Sequence, residues 1–340
     1  MSMKAVVVVP GQKAEIQSIA KPTPSATEIL VKVHAAAHNP TDWKHVKFIS
    51  KPGVVSGCDF AGQVEAVGSS VTNFKVGDRV AGLVHGGDSL NGSFAEYCVA
   101  EAGLSYKLPD HVTYAEGSTL GVGAGTAAMA LFYHLGLPTP EKPATENKPK
   151  VLVWGASGSV GHFAVQLAKL AGLRVVATAS PSSHANILAL GAEKVFDYRD
   201  PDVTKKILEW SGNDLTYGLD AISENNTVPL ASNAMTGGKL VLLLGQSKDL
   251  AENNKKVQMV PMMYYTALGK PFTKMGFTTP AFPEHRKHAE WWAVLLAKLL
   301  VEKKLVFQKI TNVGGLENFQ VAFDNLEAGK AKAEKYVMEW

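Results

Sequence analysis

Short apolar segments, separated by turn residues, make up the first 120 residues of the chain. Residues 3–9 form an almost continuous apolar run, and residues 28–37 alternate in part between apolar and polar side chains, as a half-buried strand does. Further strands are expected at residues 62–68, 79–84 and 93–99, between turns that contain Gly, Pro and Asn. Many short strands of this kind predict a partly closed antiparallel barrel.

The composition of the chain and its predicted structure change after residue 114. Residues 115–135 are rich in Ala, Gly and Leu and predict a helix. Residues 138–149 contain four prolines and several charges, which indicates an exposed connection. In the tail, residues 289–302 predict an amphipathic helix, and the apolar residues near Tyr336 are expected to return to the first domain.

From residue 150 onwards, strand and helix patterns alternate. Strands are predicted at residues 151–154, 174–179, 194–196, 218–223 and 239–244, and helices at residues 160–171, 183–190, 203–210 and 229–235. This alternation predicts a doubly wound parallel sheet with helices on both faces. The strand at residues 239–244 is expected at a sheet edge, where it is able to pair across a dimer axis; a monomer and a homodimer both stay open.

Composition and charge exclude several classes of protein. A hydrophobic share of 46% and a charged share of 19% are typical of a folded globular chain. The net charge of +3 is too small for a dedicated nucleic-acid or membrane-surface binder. Two cysteines, Cys58 and Cys98, are too few for a disulfide framework or a four-thiolate zinc site. No signal peptide and no apolar run of about 18 residues is visible, so a cytoplasmic location is expected.

A glycine-rich turn carries the clearest chemistry. The predicted strand 151–154 runs directly into Gly155, Gly158 and Gly161, and a helix follows. Glycines in a strand–turn–helix context let a pyrophosphate approach the backbone, and the helix N-terminus offers free N–H groups. The pattern predicts a dinucleotide site; the alternative is a turn that uses glycine only for packing.

The end of the second strand bears on the choice between NAD and NADP. An NAD site usually has a carboxylate there to hold the ribose 2′-hydroxyl. This chain has Ser180, Ser182 and Ser183 instead, and Tyr198 and Arg199 follow the third strand. These residues favour NADPH, because hydroxyl and cationic donors suit a 2′-phosphate; the alternative is a polar turn of serines.

At this point the chain resembles the zinc-independent medium-chain dehydrogenase/reductases, which include quinone oxidoreductases and enoyl or alkenal reductases. It is most similar to the fungal trans-enoyl reductase-like group, whose members include stand-alone reductases that serve polyketide synthases. The resemblance covers nearly the whole chain and is carried by residues 38–44, 57–62, 67–68, 74–80, 92–97, 155–161, 190–192, 196–198, 329–330 and 334–335.

The resemblance implies a fold and a set of cofactor contacts. It implies a GroES-like β-rich barrel domain at residues 1–121 and 278–340, and a Rossmann NADPH-binding domain at residues 122–277. Beside the three glycines, the family positions that contact NADPH correspond to Pro40, Thr41, Asp42, Lys44, Ser157, Ser159, Val160, Ser180, Pro181, Ser182, Ser183, Tyr198, Leu244, Gly245, Ala333 and Glu334.

The same resemblance argues against a catalytic zinc. Asn39 stands where zinc-binding alcohol dehydrogenases have their first cysteine, and Cys58–Asp59 replaces their His–Glu pair. Residues 121–123 offer no thiol for a third ligand, although catalytic zinc needs three protein ligands. A metal-free site is therefore expected, with Cys58 a small buried thiol; a nucleophilic or metal-binding role for it is the alternative.

Without a metal, hydride addition to an activated carbon–carbon double bond is the reaction expected. It needs orientation of the two reactants, a donor for the enolate oxygen and a proton for the α-carbon. Lys44 is the first candidate for the donor, or else contacts the cofactor ribose or phosphate. Tyr264 and Tyr265, in the variable segment 260–277, are candidates for the acyl pocket or the proton, with a core role as the alternative.

Two functions from different classes remain at this stage. The first is an NADPH-dependent reductase of enoyl, enone, enal or quinone substrates, including acyl thioesters held by a polyketide synthase partner. The second is a cofactor-binding redox sensor or partner-regulating protein without turnover. A panel of substrates offered with both nicotinamide cofactors distinguishes the two.

Overall fold

The computed structural model describes residues 1–244 and 254–340. The strands in those residues are β1 (Ser2–Val9), β2 (Lys13–Ala20), β3 (Glu28–Ala37), β4 (Asp59–Val67), β5 (Arg79–Leu83), β6 (Tyr97–Glu101), β7 (Tyr106–Lys107), β8 (Lys150–Trp154), β9 (Arg174–Thr178), β10 (Lys194–Phe196), β11 (Tyr217–Asp220), β12 (Gly238–Leu242), β13 (Val257–Pro261), β14 (Phe272–Lys274), β15 (Phe277–Thr279), β16 (Lys309–Asn312) and β17 (Glu334–Glu339).

The α-helices of the same residues are α1 (Pro40–Lys44), α2 (Tyr114–Ser118), α3 (Gly121–Ala128), α4 (Ser159–Leu170), α5 (His184–Leu190), α6 (Val203–Ser211), α7 (Thr227–Asn233), α8 (Pro283–Val301) and α9 (Phe319–Glu327). Shorter 3₁₀ turns lie at Ala102–Leu104, Pro181–Ser183, Tyr264–Leu268 and Leu316–Asn318, and π-helical turns at His45–Ile49 and Met129–His134. None of the described helices is long and apolar enough to cross a membrane.

The chain divides into two compact units. The first comprises Met1–Val122 and Tyr265–Trp340, and the second comprises Gly123–Tyr264. Residues 265–277, which the sequence analysis places with the Rossmann domain, therefore lie with the first unit. Their contacts explain this, because Tyr265 bonds to Thr41 and Lys270 pairs with Glu101.

A mostly antiparallel sheet forms the first unit. Its strand order is β16-β17-β3-β4-β5-β7, with β6 also paired to β3, and β1 and β2 form a separate hairpin. Inward side chains of β3, including Ile29, Val31 and Val33, are fully buried and pack with Phe60 and Phe94. β17 pairs with β3, so the tail returns to the first unit as expected.

A parallel sheet forms the second unit. Its order is β10-β9-β8-β11-β12-β13, and every pairing in it is parallel. From β8 the chain proceeds outward through β9 to β10, and then continues from β11 outward on the other side. This is the doubly wound order, whose reversal point between β8 and β11 is where such sheets bind ligands. The predicted fold class, a GroES-like domain plus a Rossmann domain, is confirmed.

Two local expectations were wrong, and one strand was missed. β12 does not lie at the sheet edge, because Val257–Pro261 forms β13 and pairs alongside it. The single helix expected at residues 115–135 is divided into α2, α3 and a π-helical turn. β2 was not predicted, because only Ala14 of its eight residues is buried and no apolar alternation marks it.

Candidate active site

The glycine turn lies at the reversal point of the parallel sheet. β8 ends at Trp154, and Gly155 follows with a positive φ of 81°. Its N–H donates to Thr178 Oγ1 on β9 at 3.0 Å, and a Cβ on Gly155 would lie 2.5 Å from Ile222, which follows β11. Gly155 is therefore fixed by its backbone conformation and by close packing from two neighbouring strands.

Gly161 and Gly158 differ in what surrounds them. A Cβ on Gly161 would lie 2.4 Å from the Gly155 carbonyl oxygen, so this glycine lets the helix pack against the turn. A Cβ on Gly158 would meet only the Gly155 carbonyl oxygen, at 3.6 Å, and its φ of −72° suits any residue. Packing within the chain does not require glycine at residue 158, which leaves open space in front of α4.

These residues fit the pyrophosphate of a nicotinamide dinucleotide. α4 begins at Ser159 with Gly158 as its N-cap, so its first-turn N–H groups and positive dipole end face that open space. The Ser159 hydroxyl oxygen is buried and has no partner within residues 1–244 and 254–340. An unpaired buried hydroxyl beside a free helix N-terminus is what an anionic ligand would satisfy.

The end of β9 is rich in hydroxyl groups. Ser180 Oγ lies 3.2 Å from Ser182 Oγ, Pro181–Ser183 forms a 3₁₀ turn, and Ser183 is buried. Tyr198, after β10, is exposed. The Arg199 guanidinium donates to the Asp197 carboxylate of its own loop at 2.9 Å, so its charge is already paired there.

The other predicted cofactor residues are dispersed. Ala333 has a positive φ of 55°, and the Glu334 carboxylate accepts a hydrogen bond from Thr311 Oγ1 at 2.6 Å. Leu244 is the last residue before the gap in the description, and Gly245 lies outside the described residues. Cofactor contacts at all of these positions stay predictions.

The first unit supplies a buried polar network around α1. The Asn39 amide nitrogen donates to Asp59 Oδ2 at 2.8 Å, and its amide oxygen accepts from the Lys335 ammonium group. Lys335 also pairs with Asp59 at 3.8 Å, although the two side chains are only 4% and 0% exposed. Asp59 Oδ1 accepts from the Val122 N–H at 2.7 Å. Every group of this buried pair therefore has hydrogen-bond partners, as buried charges require.

Burial shifts the pKa values of the carboxyls in this network. Asp42 Oδ2 accepts from the Asn39 N–H at 2.7 Å in a capping box at the start of α1. Desolvation, together with the nearby Asp59, raises the pKa of Asp42 to about 7, although the Asn39 N–H, Cys58 and Lys335 act to lower it. Desolvation also raises the pKa of Asp59 and lowers that of Lys335, and their mutual attraction opposes both shifts.

Tyr265 links α1 to a second polar group. Its hydroxyl lies 2.8 Å from Thr41 Oγ1 and 3.2 Å from Cys58 Sγ. Its ring stacks on that of His85, with the two centroids 4.0 Å apart. The ammonium nitrogen of Lys274, a residue of β14, lies 3.8 Å from the centroid of the Tyr265 ring. Tyr265 therefore connects Thr41 with the fully buried thiol of Cys58.

Desolvation also controls the titrating groups around Tyr265. It lowers the pKa of Lys274 to about 8, and the pKa values of His45 and His85 to about 3 and about 2. The Lys274 ammonium group donates to His45 Nε2 at 2.6 Å, which is possible because the imidazole stays neutral. Burial raises the pKa values of Cys58 and Tyr265 well above their usual ranges, so both stay protonated.

A cavity of about 380 Å³ opens in the first unit beside this cluster. Its wall includes His85, Leu268, Phe272 and Val99, and its charged members are Lys270, Asp88, Glu28 and Glu101. Because His85 both lines the cavity and stacks on Tyr265, the cavity reaches the second polar group.

The two predicted catalytic residues lie in different units. Lys44 ends α1, is partly buried and has its Nζ 5.8 Å from the Trp43 ring centroid. Tyr264 belongs to the second unit, where its hydroxyl would lie 2.1 Å from a Cβ on Gly125. Tyr265, next to it in the chain, lies against Thr41 and Cys58. The catalytic roles of Lys44 and Tyr264 stay predictions.

The sequence analysis assigned no role to Lys335, Lys274, His45 or His85, although residues 334–335 carry part of the family resemblance. The hydrogen-bond partners of Lys274 and Lys335 lie 229 and 296 residues away in the chain, so local sequence does not reveal them. Within the described part of the chain, no group of three or more His, Cys, Asp and Glu side chains is arranged to hold a metal ion. The metal-free expectation stays a prediction.

Comparison with known families gives two matches along the chain. The family described as "Alcohol dehydrogenase GroES-like domain" matches residues 25–110, and the family described as "Zinc-binding dehydrogenase" matches residues 159–278. The first match lies within the first unit. The second lies in the second unit up to Tyr264, and its last residues, 265–278, belong to the first unit.

Several known proteins are similar over almost the whole chain. The trans-enoyl reductase resD of Aspergillus sclerotiorum is 35% identical, covering 98% of this chain and 99% of that protein. The trans-enoyl reductase ACTTS2 of Alternaria alternata is 36% identical, covering 99% and 98%. Both identities, over nearly complete lengths, show a shared family.

Solved structures show the same fold. A quinone oxidoreductase of Pseudomonas syringae pv. Tomato DC3000 has a TM-score of 0.78 at 23% identity, covering 99% of this chain and 100% of that one. The CurK enoyl reductase has a TM-score of 0.77 at 21% identity, covering 99% of both. Mycobacterial Rv1454c, solved in complex with NADPH, has a TM-score of 0.77 at 23% identity, covering 99% and 100%. Together with the curated relatives, these matches confirm the resemblance: the chain belongs to the medium-chain dehydrogenase/reductase superfamily, in its zinc-independent, enoyl reductase-like group.

Proposed function

We propose that this reductase uses NADPH to reduce an activated carbon–carbon double bond in an enoyl, enone, enal or quinone substrate. The observation that carries the proposal is 35% identity over 98% of the chain to a protein named as a trans-enoyl reductase. The glycine turn with its open space at Gly158 supports a dinucleotide, and the absence of a carboxylate from residues 179–184 supports its 2′-phosphate.

The residues of the second unit divide the binding of NADPH between them. The N–H groups at the start of α4 and the Ser159 hydroxyl would hold the pyrophosphate. Ser180, Ser182 and Ser183 would donate to the 2′-phosphate, with Tyr198 beside them. By family resemblance, further contacts come from Pro40, Thr41, Asp42, Lys44, Leu244, Gly245, Ala333 and Glu334. When bound, NADPH supplies the hydride.

The first unit would serve the substrate half of the reaction. Hydride addition at the β-carbon places negative charge on the carbonyl oxygen, which a nearby donor must stabilise. Thr41 and Lys44 on α1 are the donors proposed for that oxygen and for orientation. Lys44 binding only to the cofactor ribose or phosphate is the alternative for this residue.

The substrate is proposed to be small or carried as an acyl thioester. The stand-alone fungal group that the chain resembles suggests a polyketide synthase carrier domain as one source, in the cytoplasm. Comparing the rates with the same acyl group on coenzyme A and on a carrier domain distinguishes the two sources. Only an enzyme that depends on a carrier domain prefers the carrier-bound thioester.

A substrate panel with both nicotinamide cofactors tests the proposal. We expect oxidation of NADPH, followed at 340 nm, with at least one of a cinnamaldehyde-like enal, a quinone and a crotonyl thioester. Binding of NADPH without oxidation by any of them would instead support the sensor or regulatory function. Turnover with NADH but not with NADPH would support the reductase function and contradict the proposed preference for NADPH.

A further inference from the structure

A short hairpin places the Lys274 side chain against a cluster of aromatic rings in the first unit. β14 and β15 pair antiparallel, and the turn between them consists of Met275 and Gly276, which both have a positive φ. Side chains alternate along a strand, so Phe272 and Lys274 share one face of β14 while Thr273 is exposed on the other. The hairpin therefore turns the Lys274 amine towards these rings.

The amine of Lys274 has a neutral hydrogen-bond partner and aromatic neighbours. Its Nζ lies 2.6 Å from His45 Nε2, 3.8 Å from the centroid of the Tyr265 ring and 5.6 Å from that of the Phe272 ring. Within residues 1–244 and 254–340, no carboxylate pairs with this ammonium group. The amine is therefore held in place by groups that do not neutralise its charge.

Lys270, earlier in the same segment, has the opposite surroundings. Its ammonium group pairs with Glu101 at 2.5 Å and with Glu28 at 3.7 Å. Although burial acts to lower the pKa of Lys270, these two carboxylates raise it. Burial without a paired carboxylate lowers the pKa of Lys274 to about 8. A neutral amine is therefore much more available at Lys274 than at Lys270.

We propose that Lys274 is a nucleophilic amine that captures a conjugated aldehyde as a Schiff base. Lysine becomes a nucleophile when it is desolvated and a neighbouring group within hydrogen-bond reach orients it. When the neutral amine donates one N–H to His45 Nε2, its lone pair points away from that imidazole. The capture goes beyond the proposed reduction and does not depend on it, because it needs no nicotinamide.

The surroundings of this amine suit a small conjugated aldehyde. The rings of His45, Tyr265 and Phe272 offer flat contacts to a planar conjugated chain. Phe272 and His85 also line the cavity of about 380 Å³, so the carbon chain of the aldehyde has room beside the cluster. Lys274 itself is half-buried, which leaves its side chain open to a small molecule.

The chemical step needs no oxidant and no reductant. The ammonium group first loses a proton to solvent, and the nitrogen lone pair forms a bond to the aldehyde carbon. The former carbonyl oxygen takes a proton from solvent and the nitrogen releases one, which gives a carbinolamine. Loss of its hydroxyl group together with the last N–H proton, as water, leaves the C=N bond. The reverse steps release the aldehyde.

The reactivity of Lys274 should rise with pH through about 8, because only the neutral amine attacks a carbonyl. The titratable groups that face the amine are His45, His85, Tyr265, Cys58 and Asp88. Burial lowers the pKa of Lys274, whereas Cys58 and Asp88 act to raise it, and both imidazoles stay neutral. At pH 7 an amine of pKa about 8 is neutral in about one molecule in ten, and an ordinary lysine in fewer than about one in a thousand.

Reductive trapping with an enal tests the proposal on the wild-type protein. Cinnamaldehyde is added with sodium cyanoborohydride and without nicotinamide cofactor, and peptide mass spectrometry follows the reduced adduct on each lysine. We expect the adduct at Lys274 to form at least about tenfold faster than at Lys270 at pH 7, even though a less basic amine is a weaker nucleophile. Equal rates at the two lysines, or an adduct at Lys274 that keeps the aldehyde oxygen, would overturn the proposal.

Two arginine substitutions provide a matched comparison. Lys274→Arg keeps a cation near the Tyr265 ring and removes the amine, so the fast-forming adduct should disappear. Lys270→Arg keeps a cation beside Glu101 and Glu28, and it should leave the rate at Lys274 unchanged. If Lys274→Arg does not fold, the adduct rates of the wild-type protein and their dependence on pH still decide.

The Schiff-base site and the proposed reductase function fail separately. A protein that turns over a member of the substrate panel, but whose Lys274 reacts no faster than Lys270, loses only the Schiff-base site. A protein whose Lys274 forms the adduct rapidly, but which turns over no member of the panel, loses only the reductase function.

Discussion

Replacing Gly158 by valine tests whether the glycine turn binds a pyrophosphate. The structure predicts little harm to the fold, because φ at this residue is −72° and a Cβ meets only one atom, at 3.6 Å. Valine is a poorer N-cap than glycine, which costs about 1 kcal/mol or less. For a domain of this size, that corresponds to a fall in melting temperature of about 2–4 °C.

Cofactor binding should be affected far more than stability. The added methyl groups would occupy the space through which a pyrophosphate approaches the first-turn N–H groups of α4. Each hydrogen bond to a charged group contributes about 1.5–3 kcal/mol, so loss of two weakens binding by at least about a hundredfold. Fluorescence titration with NADPH measures the loss of affinity, and thermal unfolding measures the fall in melting temperature.

Substitutions at two other glycines serve as comparisons, one for NADPH binding and one for stability. Gly237→Val is the control, because a Cβ there has 3.5 Å to its nearest neighbour and the residue lies outside the glycine turn; it should bind NADPH as the wild type does. Gly161→Val should destabilise the fold, because its Cβ would lie 2.4 Å from the Gly155 carbonyl oxygen. A Gly158→Val protein that binds NADPH within about threefold of the wild type would refute the assignment of the pyrophosphate to this turn.

Three further predictions concern cofactor choice, metal content and the buried ion pair. Ser180→Asp should shift the ratio of kcat/KM for NADPH over NADH toward NADH by at least about tenfold, because a carboxylate repels the 2′-phosphate; an unchanged ratio would remove Ser180 from that site. Elemental analysis should find well below one zinc per chain, and chelators should leave the rate unchanged, whereas stoichiometric zinc lost together with activity would contradict this. Lys335→Met should lower the free energy of unfolding by about 3–5 kcal/mol in urea titrations, because Asp59 stays buried without its partner, and the added change Asp59→Asn should recover part of it.

The parallel sheet was predictable because its signals are local. Each strand from β8 to β11 is a short apolar run followed by a helix pattern, and Gly191 follows α5 with a positive φ of 118°, as a glycine after a helix does. β13 was missed because only Val257 of its five residues is buried, and its pairing with β12 decides its place in the sheet.

The polar networks were not predictable because they join residues far apart in the chain. Tyr265 and Thr41 are 224 residues apart, and Lys335 and Asn39 are 296 apart. Sequence patterns locate Asn39 and Thr41 by resemblance, but the partner of each side chain depends on how strands and turns meet in three dimensions. The neighbouring tyrosines show this: Tyr264 lies against Gly125 of the second unit and Tyr265 bonds to Thr41 of the first, although nothing in their local sequence separates them.

The surroundings of Asn39 and Cys58 give a physical reason for the prediction that these positions, which bind zinc in related dehydrogenases, hold no metal in this chain. Zinc binds the thiolate form of cysteine, but burial and the nearby Asp42 and Asp59 carboxyls raise the pKa of Cys58 and keep it a thiol. The Asn39 amide uses its nitrogen for Asp59 and its oxygen for Lys335. A neutral thiol and a neutral amide suit hydrogen bonding better than metal binding, and the same negative surroundings that disfavour a thiolate favour a protonated Asp42.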